Sequence, residues 1–113
     1  MSKLYDVVAL GELLVDFTEN GEDAQGNPVF AANPGGAPCN VLAMLTKLGR
    51  KTAFIGKVGD DMFGRMLKET AEQAGIDING LILDPKAHTT LAFVKTFPGG
   101  DRDFSFYRDP GAD

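Results

Sequence analysis

The chain reads as an α/β fold built on a parallel sheet, with a β-hairpin following it. Three observations predict this. Short apolar runs alternate with apolar residues at helical spacing, in the order strand, helix, strand, helix, strand. Glycine and aspartate stand where those helices should stop and start. Near the end, Pro98-Gly99-Gly100-Asp101 separates two runs of strand character. Short connections in that order give parallel strands joined by right-handed crossovers.

Val7-Val8-Ala9-Leu10, ended by Gly11, suits a strand in a sheet covered on both faces. Leu14-Val15-Asp16-Phe17-Thr18 is a second strand. Glu19 to Pro28 is a polar turn, and Val29-Phe30-Ala31-Ala32 returns as a hairpin partner. Asn33 to Gly36 is a glycine turn that opens a helix. Val41, Leu42, Leu45 and Leu48 mark that helix's apolar stripe, Lys47 favours the negative end of its dipole, and Gly49 is its stop. Thr52 to Val58 is the next strand. Asp60-Asp61 caps a second helix with the stripe Phe63, Met66, Leu67, Thr70, Ala71 and Ala74, closed by Gly75. Leu81-Ile82-Leu83 is a short strand, and Thr90–Phe97 with Asp103–Tyr107 forms the hairpin.

Composition narrows the function classes. A length of 113 residues fits one domain. The formal net charge of −5, with no run of Lys or Arg, argues against a nucleic-acid surface. A single cysteine excludes an internal disulfide and suits a reducing, cytoplasmic setting. No apolar run approaches the ~20 residues of a membrane span, and the start of the chain does not read as a secretory signal.

The chemistry concentrates in Asn33-Pro34-Gly35-Gly36-Ala37-Pro38-Cys39-Asn40. Two glycines let backbone approach a ligand, a helix N-terminus offers free N–H groups, and Asn40 both donates and accepts. The segment matches neither nucleotide-phosphate glycine pattern. Asp16 lies past the carboxyl end of the first strand, the edge where open α/β sheets bind ligands. Its carboxylate suits vicinal hydroxyls, and Glu12 is a second candidate there. Together these residues fit a polyhydroxylated small molecule. The bland readings are a strand-to-helix turn and a surface carboxylate. Asp60 and Asp61 read as a helix cap, not a metal pair. Lone His88 lacks ligand spacing, and Cys39 reads as packing. Arg108 is either a solvated cation or an arm over the site, with Phe93 and Phe106 covering the apolar face of a sugar.

The motifs in this order resemble the amino-terminal part of the ribokinase-like, or PfkB, carbohydrate kinases, nearest to their fructokinase branch. Gly35, Gly36, Pro38, Asn40, Gly49 and Gly59 carry one family pattern, with Leu42 where a small residue is usual. Gly11-Glu12 with Asp16, Gly56 to Asp61 with Gly64, and Phe104 to Arg108 with Pro110, Ala112 and Asp113 carry three more.

The resemblance implies a ribokinase-like Rossmann-type sheet with a small β lid, truncated before the ATP-binding half, over residues 1–113. The lid segments would be about 14–33 and 90–108. It implies sugar binding by Asp16, Gly35, Gly36 and Asn40, with Phe93, Phe106 and Arg108 as lid-side contacts. The parent enzyme would use ATP and Mg2+, phosphorylate a small sugar and form a homodimer through the lid. Its catalytic base would sit in a D-T-x-G-A-G-D motif beyond Asp113, so the chain alone is expected to bind no ATP or Mg2+ and to be inactive. Bare helix faces and sheet edges would leave it prone to association. Fructose leads as substrate, with ketodeoxygluconate, ribose or a nucleoside as alternatives. A non-catalytic sugar-binding or assembly module is the reading from another class.

Overall fold

A computed structural model of the chain describes residues 4–97, 99–108, 111 and 112. Pro98, Pro110 and Asp113, singled out above, lie outside the described residues. Three parallel strands form the first sheet, in the order β1 (Val7–Leu10), β4 (Thr52–Gly59), β5 (Asp77–Asp84). Helices α1 (Ala37–Lys47) and α2 (Met62–Gln73) supply the crossovers between them.

Both helices end as their glycines dictate. Gly49 (φ 86°) and Gly75 (φ 84°) adopt the left-handed conformation that glycine takes without steric penalty. The Arg50 N–H then reaches the Leu45 carbonyl at 3.1 Å, and the Ile76 N–H reaches the Ala71 carbonyl at 3.1 Å. These bonds satisfy carbonyls the helix ends would otherwise leave open. At the start of α2 the Asp61 side chain accepts from the Gly64 N–H at 2.7 Å.

The core lies between this sheet and the two helices. Phe54, Val58 and Leu81 from the strands meet Leu42, Leu67 and Ala71 from the helices. Burying each large side chain contributes about 1.5–3 kcal/mol. Because both helices pack on that one face, β1 alternates: Val7 and Ala9 turn inward, while Val8 (50%) and Leu10 (77%) are exposed. Ile55 (46%) and Ile82 (60%) extend the same outer face. Among the described residues nothing covers this outer face of the sheet. Replacing Leu10 and Ile82 with Lys is expected to suppress self-association in sedimentation runs, while stability changes by less than about 1 kcal/mol. Loss of the fold in that variant would mean the face is packed.

A second, four-stranded sheet has the order β3-β2-β6-β7, made of β2 (Leu14–Glu22), β3 (Pro28–Gly35), β6 (Leu91–Thr96) and β7 (Arg102–Tyr107). Two antiparallel hairpins, β2–β3 and β6–β7, join through a parallel pairing of β2 with β6. The first hairpin is longer than its composition suggests. Its turn shrinks to the residues around Asp23, whose carboxylate accepts from the Gln25 and Asn27 N–H groups at 2.9 Å. Asn33, Pro34 and Gly35 are strand, not turn, paired with Leu14 to Asp16. Pro34 is tolerated because β3 is an edge strand, where a missing N–H breaks no ladder. Likewise β5 begins at Asp77, before the expected Leu81.

Candidate functional site

Past the carboxyl end of β1 the chain turns through Gly11-Glu12-Leu13 into β2 and carries Asp16 to the second sheet. Asp16 pairs with Asn33 on one side and Ala92 on the other. Its carboxylate lies over Gly35, in the place a β-carbon there would occupy, so a side chain at 35 would evict it. Among the described residues, no hydrogen bond or ion pair is found for this half-buried group. Burial pushes its carboxyl above the usual carboxylate value. Its oxygens remain open to solvent, so they can accept from the hydroxyl of a ligand.

Gly36 follows with φ 114° and caps α1 without a side-chain hydrogen bond. A β-carbon here would strike the Glu12 carbonyl oxygen and come within 3.3 Å of the Leu13 Cα. The joint thus fixes the start of α1 against the turn that leaves β1. Gly11 packs equally tightly on Pro38. Asn40 stands one turn into α1, with an exposed side chain, and its N–H donates to the Gly36 carbonyl at 3.2 Å. Cys39 is buried, and burial pushes its thiol up, which suits packing and not nucleophilic attack.

The second sheet brings two more predicted residues to this side. Phe106 pairs with Ala92, which pairs with Asp16, so all three share one face. Arg108 lies over the Phe106 ring, 5.0 Å from its centroid, and its Nη2 reaches Glu12 Oε2 at 3.5 Å. Phe93 is not brought to them. It sits on the opposite face, stacked on Phe17 at 4.8 Å, with Phe30 at 5.6 Å and Tyr107 at 5.4 Å. Strand alternation separates it from Asp16.

Sequence reasoning missed Thr18, Val94, Arg102 and Phe104. With Asp16 they line an open depression of about 380 Å³ on the same face as Phe106. Phe104 stacks on Phe106 with centroids 6.4 Å apart. The shared parity of positions 104 and 106 was a usable signal; the register placing them beside Asp16 was not. A larger groove of about 680 Å³ lies at the far end of the first sheet, beside Asp77, away from these residues. Among the described residues, no group of three or more His, Cys, Asp or Glu is placed to hold a metal ion. No described helix is long and apolar enough to cross a membrane.

Residues 5–113 match the pattern of the pfkB family carbohydrate kinases. The chain belongs to that family. Fructokinase-1 of Oryza sativa subsp. japonica is 47% identical over 109 residues, which is 95% of this chain and 34% of the rice protein. The fructokinase of Solanum tuberosum is 46% identical over the same span. Among solved structures, a fructokinase from Xylella fastidiosa superposes with a TM-score of 0.87 at 38% identity, covering 95% of this chain and 33% of that one. A sugar kinase from Pyrococcus horikoshii in complex with ATP gives 0.81 at 35% identity, covering 93% and 35%. The chain has the ribokinase-like α/β fold of these proteins and spans about a third of their length.

Proposed function

We propose that this pfkB-family chain is the sugar-binding part of a kinase that moves the γ-phosphoryl group of ATP to a hydroxyl of fructose. The observation that carries this reading is Asp16: half-buried, unpartnered and held over Gly35. A carboxylate there accepts hydrogen bonds from vicinal hydroxyls, and its desolvation strengthens each of them. Gly35 and Gly36 let the sugar approach backbone, Asn40 adds a donor and acceptor, and Phe106 offers an apolar face. Phe93 enters this reading only as support for the sheet, since it lies on the other face. The second sheet, segments 14–35 and 91–107, is then a lid that excludes water from the transferring group.

Arg108 favours fructose over a sugar acid. Its guanidinium already faces Glu12, so an incoming carboxylate would have to displace that partner. ATP and Mg2+ belong in this reading to polypeptide outside these residues, as does the base that takes the hydroxyl proton. The whole kinase is read as a cytoplasmic homodimer joined through the lid. The aromatic face of Phe17, Phe30, Phe93 and Tyr107, with Tyr107 62% exposed, supports that surface.

The test grafts residues 5–113 into rice Fructokinase-1 in place of its matched third. The graft and the 113-residue chain are assayed side by side with Mg-ATP against fructose, ketodeoxygluconate, ribose and a nucleoside. Fructose phosphorylation by the graft alone supports the proposal. Preference for another acceptor would reassign the substrate, and turnover by the short chain would overturn the division of labour. Sugar binding by the short chain with a dead graft would favour a non-catalytic module.

A further inference from the structure

The Gly59-Asp60-Asp61 stretch with Gly64 lies outside the residues assigned to the sugar, yet it forms a tightly built joint. Asp61 caps α2, but its carboxylate does more. Oδ1 accepts from the Gly64 N–H and the Thr89 hydroxyl, both at 2.7 Å, and Oδ2 accepts from the Thr89 N–H at 2.9 Å. The Thr89 hydroxyl in turn accepts from the Gly59 N–H at 3.0 Å. No side chain fits in this joint. A β-carbon on Gly59 would lie 2.5 Å from the Thr89 nitrogen and 2.6 Å from Asp61 Oδ2, and one on Gly64 would overlap the Gly59 carbonyl.

Thr89 belongs to the segment from which the second sheet is hung. The next residue, Thr90, accepts the Val15 N–H at 3.2 Å, immediately before Asp16. The preceding residue, His88, pairs with Gly111 and accepts the Ala112 N–H at 2.9 Å, so the chain returns here after Arg108. The strand carrying Asp16, the start of β6 and the return from Arg108 therefore meet at residues 88–90. Fixing that node fixes all three.

We propose that Asp61 is a positioning residue: one carboxylate both caps α2 and latches residues 88–90, setting where the second sheet stands over Asp16. The latch is a statement about this chain; its effect on sugar recognition rests on the kinase reading. Burial pushes the Asp61 carboxyl up, but hydrogen bonds from Thr89 and Gly64, helped by nearby His88, outweigh it and hold the group below its usual value. Arg65 pairs with Asp60 and leaves Asp61 to Thr89.

Asp61→Asn separates the two jobs, because Asn remains a good N-cap but turns an amide donor toward the Thr89 N–H. Thr89→Val removes the hydroxyl at constant shape, and Thr89→Ser keeps it. Hydrogen exchange is read on the 113-residue chain and on the rice graft. Asp61→Asn and Thr89→Val are expected to speed exchange about tenfold in 89–96 and 102–107 and leave 62–73 unchanged, while Thr89→Ser, which keeps the hydroxyl, exchanges like the wild type. Faster exchange confined to α2, or none anywhere, would reduce Asp61 to a cap and overturn the latch. In the graft, the KM for fructose is expected to rise about tenfold while the KM for ATP and kcat stay within about twofold. A fall in kcat alone would remove the sugar-positioning role. A parent graft inert toward fructose would defeat the kinase reading and leave the exchange result standing. If Asp61→Asn fails to fold, the Thr89 pair carries the same test.

Discussion

Gly36→Ala is expected to destabilise the chain by about 2–4 kcal/mol and to abolish detectable fructose binding. Two effects add. The φ of 114° is one an L side chain rarely adopts, and the new β-carbon would strike the Glu12 carbonyl. What it meets is backbone on the turn between β1 and β2, so no flexible side chain can swing away. Relief requires α1 to back off from that turn, which moves Gly35 from beneath the Asp16 carboxylate. Gly26 is the control. It too has positive φ, at 84°, but a β-carbon there meets nothing within 4 Å, so Gly26→Ala carries only the conformational cost of about 1–2 kcal/mol. Urea denaturation of both variants is the measurement. Equal losses would show that the contact with Glu12 adds nothing.

Gly36 also shows how far the sequence could be read. Local rules placed β1, α1, β4 and α2, because apolar spacing, the Asp61 cap and the stops at Gly49 and Gly75 are each decided within a few residues. The hairpin turn at Gly99 and Gly100, both at positive φ, follows from the same local chemistry. What stayed hidden depends on register between distant strands. Nothing near Val15 announces Leu91 as its partner. Without that pairing, Phe93 and Phe106 look equally able to cover a sugar. With it, they fall on opposite faces of one sheet. Asn33–Gly35 departs from its composition for a related reason: the residue types say turn, while pairing with Leu14 to Asp16 holds the segment extended. The site divides the same way. Asp16, the glycine pair and Arg108 are legible as residue types, whereas the carboxylate resting on Gly35 and the Arg108–Glu12 contact exist only once the chain is folded.

Asp16→Asn is expected to lower fructose kcat/KM in the rice graft by about 100-fold, yet to stabilise the chain at neutral pH. The loss follows from replacing two charge-assisted acceptors by one neutral acceptor and a donor, at about 1.5–3 kcal/mol for a hydrogen bond to a charged group. The gain follows from burial, which raises the folded carboxyl above its ordinary value of 3.8. The sign is fixed by linkage. A carboxyl that holds its proton more tightly when folded favours the folded state most below its unfolded pKa, and that advantage fades as pH rises through the raised value. At neutral pH the ionised group is a standing penalty, which Asn removes. Melting wild type and variant together at about pH 7 and about pH 3 should show the variant ahead at the higher pH and the gap closing at the lower. Other carboxylates, among them Asp61 and Asp84, are pulled the opposite way by their hydrogen bonds, but they are common to both proteins and cancel in the difference. A variant less stable at neutral pH would mean that Asp16 has a partner in the folded chain. Unchanged affinity for fructose would remove Asp16 from the site. Lost binding together with gained stability would mark a group kept for a ligand, since its partial burial costs the fold and no described residue pairs with it.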